Sequence, residues 1–182
     1  KMPKLKAEFR KPKLTLYNTN YVALGVLTNR THLSAHNIVL NEQVNETPSL
    51  TFDFPMGGML DGDSLELLIK YKNEYFVIKE ISMSDSDTAI MNVRAEHIAC
   101  ELKGIMVGYF EDLIGETPET MWSTVIENSS MTEVLNDKYI FETNITNTFR
   151  WLGSEEEKSV FEYLLTMAQQ FDSCLLFSTD TY

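Results

Sequence analysis

Strict alternation of apolar and polar residues is the feature that most constrains this fold, and it is clearest at Leu50-Thr51-Phe52-Asp53-Phe54. Successive side chains of an extended strand point to opposite faces. The three apolar residues therefore share one face and the two polar residues share the other. One buried face and one polar face are typical of an antiparallel sheet. The surrounding stretch contains mostly Asn, Gln, Thr and scattered carboxylates, so it predicts a β-built structural part rather than an active site.

Further strands and turns surround this one. Lys72-Asn73 resembles a tight hairpin turn between two strand-like segments, and residues 84–87 form another turn-rich stretch. The predicted strands of this region are 14–17, 22–27, 32–40, 50–54, 64–71, 74–83 and 88–99. Short turns between consecutive strands are typical of a meander, so residues 14–104 are predicted to form an antiparallel barrel-like domain.

Helical signals begin after Gly104. Thr117 is a good N-cap and Pro118 suits the first helical position. A second helix is predicted to start at the capping box Ser154-Glu155-Glu156-Glu157. Short strands are predicted at 138–143, 148–152 and 173–178. The predicted fold class is α+β, mainly β: a barrel-like domain followed by a mixed segment, residues 105–182, with two helices and an incomplete C-terminus.

Charge is distributed unevenly along the chain. The net charge is −12 at pH 7, yet residues 1–13 carry six basic groups and one carboxylate. These residues are predicted to form a basic N-terminal arm. The acidic remainder should repel nucleic acid and anionic membranes, so no specific nucleic-acid binding is predicted. No apolar run approaches the roughly 18 residues of a membrane span, which predicts no membrane insertion.

Histidine and cysteine supply the first candidates for chemistry. His97 and Cys100 could provide two metal ligands, but no second pair at metal spacing follows them. His32 and His36 share one strand face, and Cys174 stands apart. Two cysteines are too few for a disulfide scaffold. The favoured interpretation is a hydrogen-bonded histidine at a strand end and a buried free thiol.

Carboxylates supply the other candidates. Asp61-Gly62-Asp63 and Asp85-Ser86-Asp87 could hold calcium, and paired carboxylates could hydrolyse glycosides. Neither segment has the full calcium-loop spacing, and aspartate is common in solvated turns. No catalytic, cofactor-binding or metal-binding residue is assigned, no cofactor is expected, and the chain is predicted not to be an enzyme.

Two tryptophans could stack against sugars. Trp122 lies on the apolar stripe of the predicted helix at Pro118 and is expected in the core. For Trp151, the sequence does not decide between packing in the core and sugar binding.

Seven segments in this order resemble the N-terminal hub region of tail-associated proteins from long-tailed bacteriophages and prophages, the family often labelled prophage endopeptidase tail. They are Leu14–Tyr17, Asn37–Glu42, Ser49–Pro55, Tyr75–Ile78, Val93–His97, Ser159–Leu165 and Phe171–Phe177. The resemblance covers most of residues 14–178.

The resemblance implies a structural protein of the virion tail tip or baseplate, made in the bacterial host cytoplasm. It implies a homotrimer whose barrel-like domains form a ring between the tail tube and the tip. The implied partners are the distal tail protein and other tail-tip or tape-measure proteins. An acidic channel wall would let DNA pass without binding. Any peptidoglycan-degrading activity would belong to a C-terminal region outside this sequence. The alternatives are a carbohydrate- or receptor-binding β-module, or a fragment of a cell-wall hydrolase.

Overall fold

The structure, a computed structural model, describes residues 13–28, 34–83, 89–146, 148, 151–154 and 158–179. These residues form two compact units. The first comprises the described residues within 1–42, 48–98 and 178–182, and the second comprises those within 43–47 and 99–177. Residues 1–12 of the predicted basic arm lie outside the described residues, as do His32, Asp85 and Asp87.

The first unit contains one antiparallel sheet of seven strands. They are β1 (Leu14–Tyr17), β2 (Ala23–Val26), β3 (His36–Asn41), β4 (Ser49–Pro55), β5 (Leu68–Tyr71), β6 (Glu74–Met83) and β7 (Ile90–His97). Their order across the sheet is β2-β1-β5-β6-β7-β4-β3. Among the described strands, β2 and β3 are edges that do not pair with each other. The sheet is therefore open, and the predicted barrel closure is not confirmed.

Alternation along β4 places its apolar residues in the core, as predicted. Leu50, Phe52 and Phe54 are each at most 1% exposed, whereas the residues between them are half-buried. Phe52 lies opposite Val93 of β7, which is also buried. This single apolar face collects residues from most strands into one cluster.

The hairpin turn and several strand limits agree with the sequence prediction. Tyr71 pairs with Glu74 and flanks the predicted two-residue turn. The predicted bounds of β1 and β6 are confirmed. β5 starts four residues later than predicted. There, Asp61 caps a short 3-10 helix, Gly62–Ser64, and the Ser64 hydroxyl accepts a hydrogen bond from the Asp61 backbone N–H.

The second unit contains three α-helices instead of the two predicted. They are α1 (Pro118–Glu127), α2 (Thr132–Lys138) and α3 (Val160–Gln170), and a 3-10 helix, Ile98–Lys103, follows β7. The predicted cap of α1 is confirmed, since the Thr117 hydroxyl accepts a hydrogen bond from the Thr120 backbone N–H. α2 was not predicted from the sequence. No helix in the described part of the chain is long and apolar enough to cross a membrane.

α3 begins later than the sequence predicted, and Glu155, Glu156 and Glu157 of the predicted capping box lie outside the described residues. Its N-cap is Ser159, whose hydroxyl accepts from the Glu162 backbone N–H while the Glu162 carboxylate accepts from the Ser159 backbone N–H. The sequence offers the same Ser-x-x-Glu pattern five residues earlier, at Ser154. The later pattern is used, and it places Val160 and Phe161, which are both buried, in the first turn.

Of the three short strands predicted after α1, the two at 138–143 and 173–178 are wrong, and the one at 148–152 lies partly outside the described residues. The segment 138–143 begins on the last residue of α2, and its other residues belong to no strand. The segment 173–178 has no strand assignment. Within 148–152, Leu152 forms only an isolated bridge with Leu113, and residues 149–150 lie outside the described residues.

Candidate functional site

The β3 edge of the sheet is fixed by one carboxylate. Asp53 of β4 accepts a hydrogen bond of 2.7 Å from the Asn37 side chain of β3 and one of 3.0 Å from Asn92 of β7. Asn37 has a φ of 51° and lies in a bulge between His36 and Val39. Asparagine tolerates this left-handed conformation better than most residues. The hydrogen bonds from the two side-chain amides lower the pKa of Asp53. Because Asn37, Asp53 and Asn92 lie on β3, β4 and β7, this carboxylate links three neighbouring strands.

The β2 edge is more apolar. Tyr21, Val22 and Leu24 are exposed at or just before this strand. Tyr21 packs edge-on against Tyr75, with ring centroids 5.1 Å apart. The β2 edge therefore presents apolar side chains beside unpaired backbone groups, which is typical of a surface that another chain covers.

Glu74, at the start of β6, is the centre of a hydrogen-bonded cluster. Its Oε2 atom accepts from the Thr179 backbone N–H at 2.7 Å and from the Thr179 hydroxyl at 2.6 Å. The His97 Nε2 atom lies 3.1 Å from the same oxygen. Ser178 donates to the other carboxylate oxygen at 3.2 Å. Segment 178–179 is thereby held on the β5–β6 hairpin.

Burial controls the ionisation of His97 in this cluster. The side chain is 1% exposed and packs edge-on against Phe76. Burial lowers the pKa of His97 more than the neighbouring carboxylate raises it. Burial also raises the pKa of Glu74, but hydrogen bonds from Thr179 and His97 outweigh it and leave that pKa lowered. A neutral imidazole donating from Nε2 to an ionised carboxylate fits both directions.

This cluster does not have the arrangement of a catalytic triad. The carboxylate lies between the histidine and the hydroxyls, so each of them hydrogen-bonds to Glu74. Nucleophilic catalysis requires the hydroxyl to lie against the base instead. The prediction of a hydrogen-bonded histidine at a strand end is confirmed for His97. The rest of the cluster was missed because Glu74 lies 23 residues from His97 and 105 residues from Thr179, and no local pattern joins them.

The other sequence candidates are dispersed. His36 is exposed, and its ring nitrogen lies 3.3 Å from the Ser34 carbonyl. Cys100 is half-buried rather than buried, and Cys174 is exposed. Asp61 caps the 3-10 helix, and Asp63 is exposed. Across the described residues, no group of three potential metal ligands comes together.

The two tryptophans have different environments. Trp122 packs against the core of the second unit and stacks on Phe141, with ring centroids 5.3 Å apart, as the core interpretation predicted. Trp151 is 46% exposed, and its indole N–H donates to Asp112 at 2.9 Å. The Trp151 ring also lies over Gly153, where a Cβ atom would collide with it.

Two solved tail proteins have a similar fold. Prophage tail protein gp18 from Listeria monocytogenes EGD-e matches with a TM-score of 0.64 and 14% identity, over 87% of this chain and 45% of that one. The tail protein from Neisseria meningitidis MC58 matches with a TM-score of 0.59 and 8% identity, over 91% and 50%. Comparison of the sequence with protein-family models and with curated proteins gives no match.

This likeness confirms the resemblance to phage tail-associated proteins at the level of the fold. The chain spans about half the length of each of these two proteins. A fold supports many functions, so the role of the chain has to be argued from its surfaces.

Proposed function

We propose that this chain is part of a structural hub at the tail tip of a long-tailed bacteriophage or prophage. In this role three copies form a ring that joins the tail tube to the tip, beside a distal tail protein and tape-measure proteins. The observation that carries the proposal is the shared fold with two tail proteins over 87% and 91% of the chain. The role is structural, and the chain contributes no catalytic step.

The open sheet supports assembly into a closed ring. β2 and β3 are unpaired edges among the described strands, and each edge strand presents free N–H and C=O groups along one side. Exposed edges promote pairing with another chain, and closed rotational symmetry covers them without forming an open filament. The apolar residues at the β2 edge make it the stronger candidate for the contact between copies.

A charge at the β2 edge tests this proposal. Leu24 of β2 and Val134 of α2 are both 47% exposed, so Leu24→Lys and Val134→Lys place the same charge on surfaces of matched exposure. Sedimentation of the full-length protein measures the oligomer. We expect a trimer that weakens by at least about tenfold in the trimer association constant with Leu24→Lys, because a buried lysine lacks a partner. Val134→Lys should leave the trimer intact.

Two results contradict the proposal. The first is a full-length protein that stays monomeric and binds no tail protein. The second is an equal loss of trimer in both variants, which would show a general effect of charge rather than an interface at β2.

Glycan binding is the second candidate, favoured by the exposure of Trp151. An aromatic ring that is half-exposed can stack on a sugar. Trp151→Ala should abolish glycan binding if this is the function and should leave the trimer unchanged if the hub proposal holds. A glycan array probed with the unchanged protein and with the Trp151→Ala variant distinguishes glycan binding from the hub proposal.

A further inference from the structure

Trp151 and Asp112 are held together by two segments of the second unit that meet in a short antiparallel bridge. The Leu113 backbone N–H donates to the Leu152 carbonyl at 2.9 Å, and the Leu152 N–H donates to the Leu113 carbonyl at 2.8 Å. Asp112 and Trp151 each precede one of these bridged residues, and the indole N–H donates to the Asp112 carboxylate at 2.9 Å. These hydrogen bonds fix the carboxylate beside the ring before any ligand binds.

Gly153 gives the indole ring its position. A Cβ atom at this residue would lie 2.3 Å from Cζ2 and 2.8 Å from Cη2 of Trp151, so any larger residue would displace the ring. The ring lies against the backbone at Gly153 and is held by Asp112 at its N–H edge, yet Trp151 is 46% exposed. The site is therefore an exposed aromatic surface of fixed orientation with a carboxylate at its edge.

An indole and a carboxylate in this arrangement suit a cation. The face of an aromatic ring attracts positive charge, and tryptophan attracts it most strongly. Asp112 binds the N–H edge and leaves the ring face free. Among the described residues Asp112 makes no other hydrogen bond or ion pair, so its second oxygen can accept from a ligand. Arginine fits both parts of the site, because its planar guanidinium stacks on aromatic faces and donates to carboxylates.

The charge of the neighbouring sequence also favours a basic partner. Residues 104–137 contain seven carboxylates and no lysine, arginine or histidine. Six of these carboxylates are exposed: Glu111, Asp112, Glu119, Glu127, Glu133 and Asp137. Negative charge of this density attracts a cationic segment and repels an acidic one, whereas a neutral sugar gains nothing from it.

The described cations of this chain already have other partners. Every described lysine and arginine except Lys13 pairs with a carboxylate or lies over another aromatic ring, and none of the described cations lies over Trp151. The residues with such partners are Lys70, Lys72, Lys79, Arg94, Lys103, Lys138 and Lys158. The described part of the chain therefore does not fill the site.

We propose that Trp151 and Asp112 bind the arginine side chain of a basic segment in another polypeptide. The guanidinium stacks on the exposed ring and donates to the Asp112 oxygen that the indole N–H does not use. This inference goes beyond the hub proposal and does not depend on ring formation, because both residues of the site belong to one chain.

A peptide with the sequence of residues 1–13 is a suitable probe, since it contains one arginine, Arg10, and five lysines. Its counterpart has citrulline in place of the arginine, which keeps the planar shape and removes the charge. The indole N–H NMR signal of Trp151 in the chain of residues 1–182 reports binding, and Trp151→Phe identifies that signal. We expect the arginine peptide to bind at least about fivefold more tightly than the citrulline peptide, because only arginine carries the charge that the ring and the carboxylate attract.

Two protein variants of equal net charge test the role of Asp112. Asp112→Asn retains an acceptor for the indole N–H but removes the negative charge, so the preference for the arginine peptide should fall to about twofold or less. Glu111→Gln makes the same change in net charge at a neighbouring exposed residue that does not hydrogen-bond to Trp151, and it should keep the preference. Thermal unfolding checks that both variants retain the fold.

Four outcomes overturn the inference. Equal binding of the two peptides, or an equal fall in both protein variants, would show only a general attraction of charge. Binding that appears only after Arg10→Gln or Arg150→Gln in the protein would assign the site to an arginine of the chain itself. A Trp151 signal that neither peptide shifts, in the unchanged protein and in these two variants, would show that the site binds no arginine. Tighter binding of a neutral trisaccharide of N-acetylglucosamine would assign the site to a sugar.

Discussion

β4 and two segments of the second unit, residues 139–146 and 173–177, share an alternation of exposed and less exposed residues but differ in burial. Along β4 the inward residues are fully buried between neighbouring strands on both sides. Along 139–146 and 173–177 the inward residues are only half-buried, and the outward ones include Ile140 and Leu176. Alternation is a local property of extended backbone, whereas full burial requires partners that are distant in the sequence. The comparison therefore separates what a segment encodes by itself from what the rest of the sheet supplies.

The largest expected effect comes from truncating one large apolar side chain in each region. Phe52→Ala in β4 should lower the free energy of unfolding by about 3–5 kcal/mol, because it leaves a cavity in a packed core. Leu176→Ala in segment 173–177 should change the free energy of unfolding by less than about 0.5 kcal/mol, because the side chain is already in solvent. Denaturant unfolding of residues 1–182 measures both.

Equal losses from the two substitutions would contradict the comparison. They would show that Leu176 is buried in solution.

The second effect concerns the hydrogen bonds that hold segment 178–179 on the β5–β6 hairpin. Glu74→Ala removes the acceptor of the Thr179 backbone N–H and of His97 Nε2. We expect a loss of about 1–3 kcal/mol, the cost of unsatisfied buried polar groups. Glu74→Gln, which retains an acceptor oxygen, should lose less. Urea unfolding at pH 7 compares the two.

The same cluster predicts how stability depends on pH. Because burial lowers the pKa of His97 below its ordinary 6.5, the unfolded chain binds that proton more readily. The contribution of His97 to the free energy of unfolding is therefore fully present above pH 6.5. It is lost as the pH falls through the lower pKa that His97 has in the folded state. Glu74, whose pKa is also lowered, adds a second loss below its ordinary 4.5.

A histidine variant separates these two stages. His97→Gln retains a donor to Glu74 but does not titrate, so the first stage should disappear while the second remains. If the stability of this variant depends on pH in the same way as that of the unchanged protein, groups other than His97 cause the first loss of stability.

The smallest effect tests which capping pattern starts α3. Ser159→Ala should destabilise the chain by about 1 kcal/mol, because the Glu162 backbone N–H loses its acceptor. Ser154→Ala, in the pattern favoured by the sequence, should have an effect below about 0.5 kcal/mol. Thermal unfolding of the two variants distinguishes them, and the reverse ranking would restore the earlier helix start.

Local patterns predicted several features of both units. β4, the hairpin at Lys72-Asn73 and the cap at Thr117 depend on residues close together in the sequence, and the structure has them all. The start of α3 was missed because two successive Ser-x-x-Glu patterns, at Ser154 and Ser159, both fit the start of a helix. Tertiary packing decides between such patterns.

The contacts that could not be predicted are the non-local ones. The pairing of β4 with β7, the bond between Glu74 and Thr179 and the position of Asn37 beside Asp53 join residues that no short window contains. The strands predicted at 138–143 and 173–178 failed for the same reason. Their side chains alternate as predicted, but no partner strand lies beside them among the described residues.

Electron microscopy of the full-length protein tests the proposed role most directly. The account predicts a ring with threefold symmetry in which the β2 edge of each copy is covered by its neighbour. A single copy with both sheet edges exposed, in the presence of the other tail proteins, would contradict it.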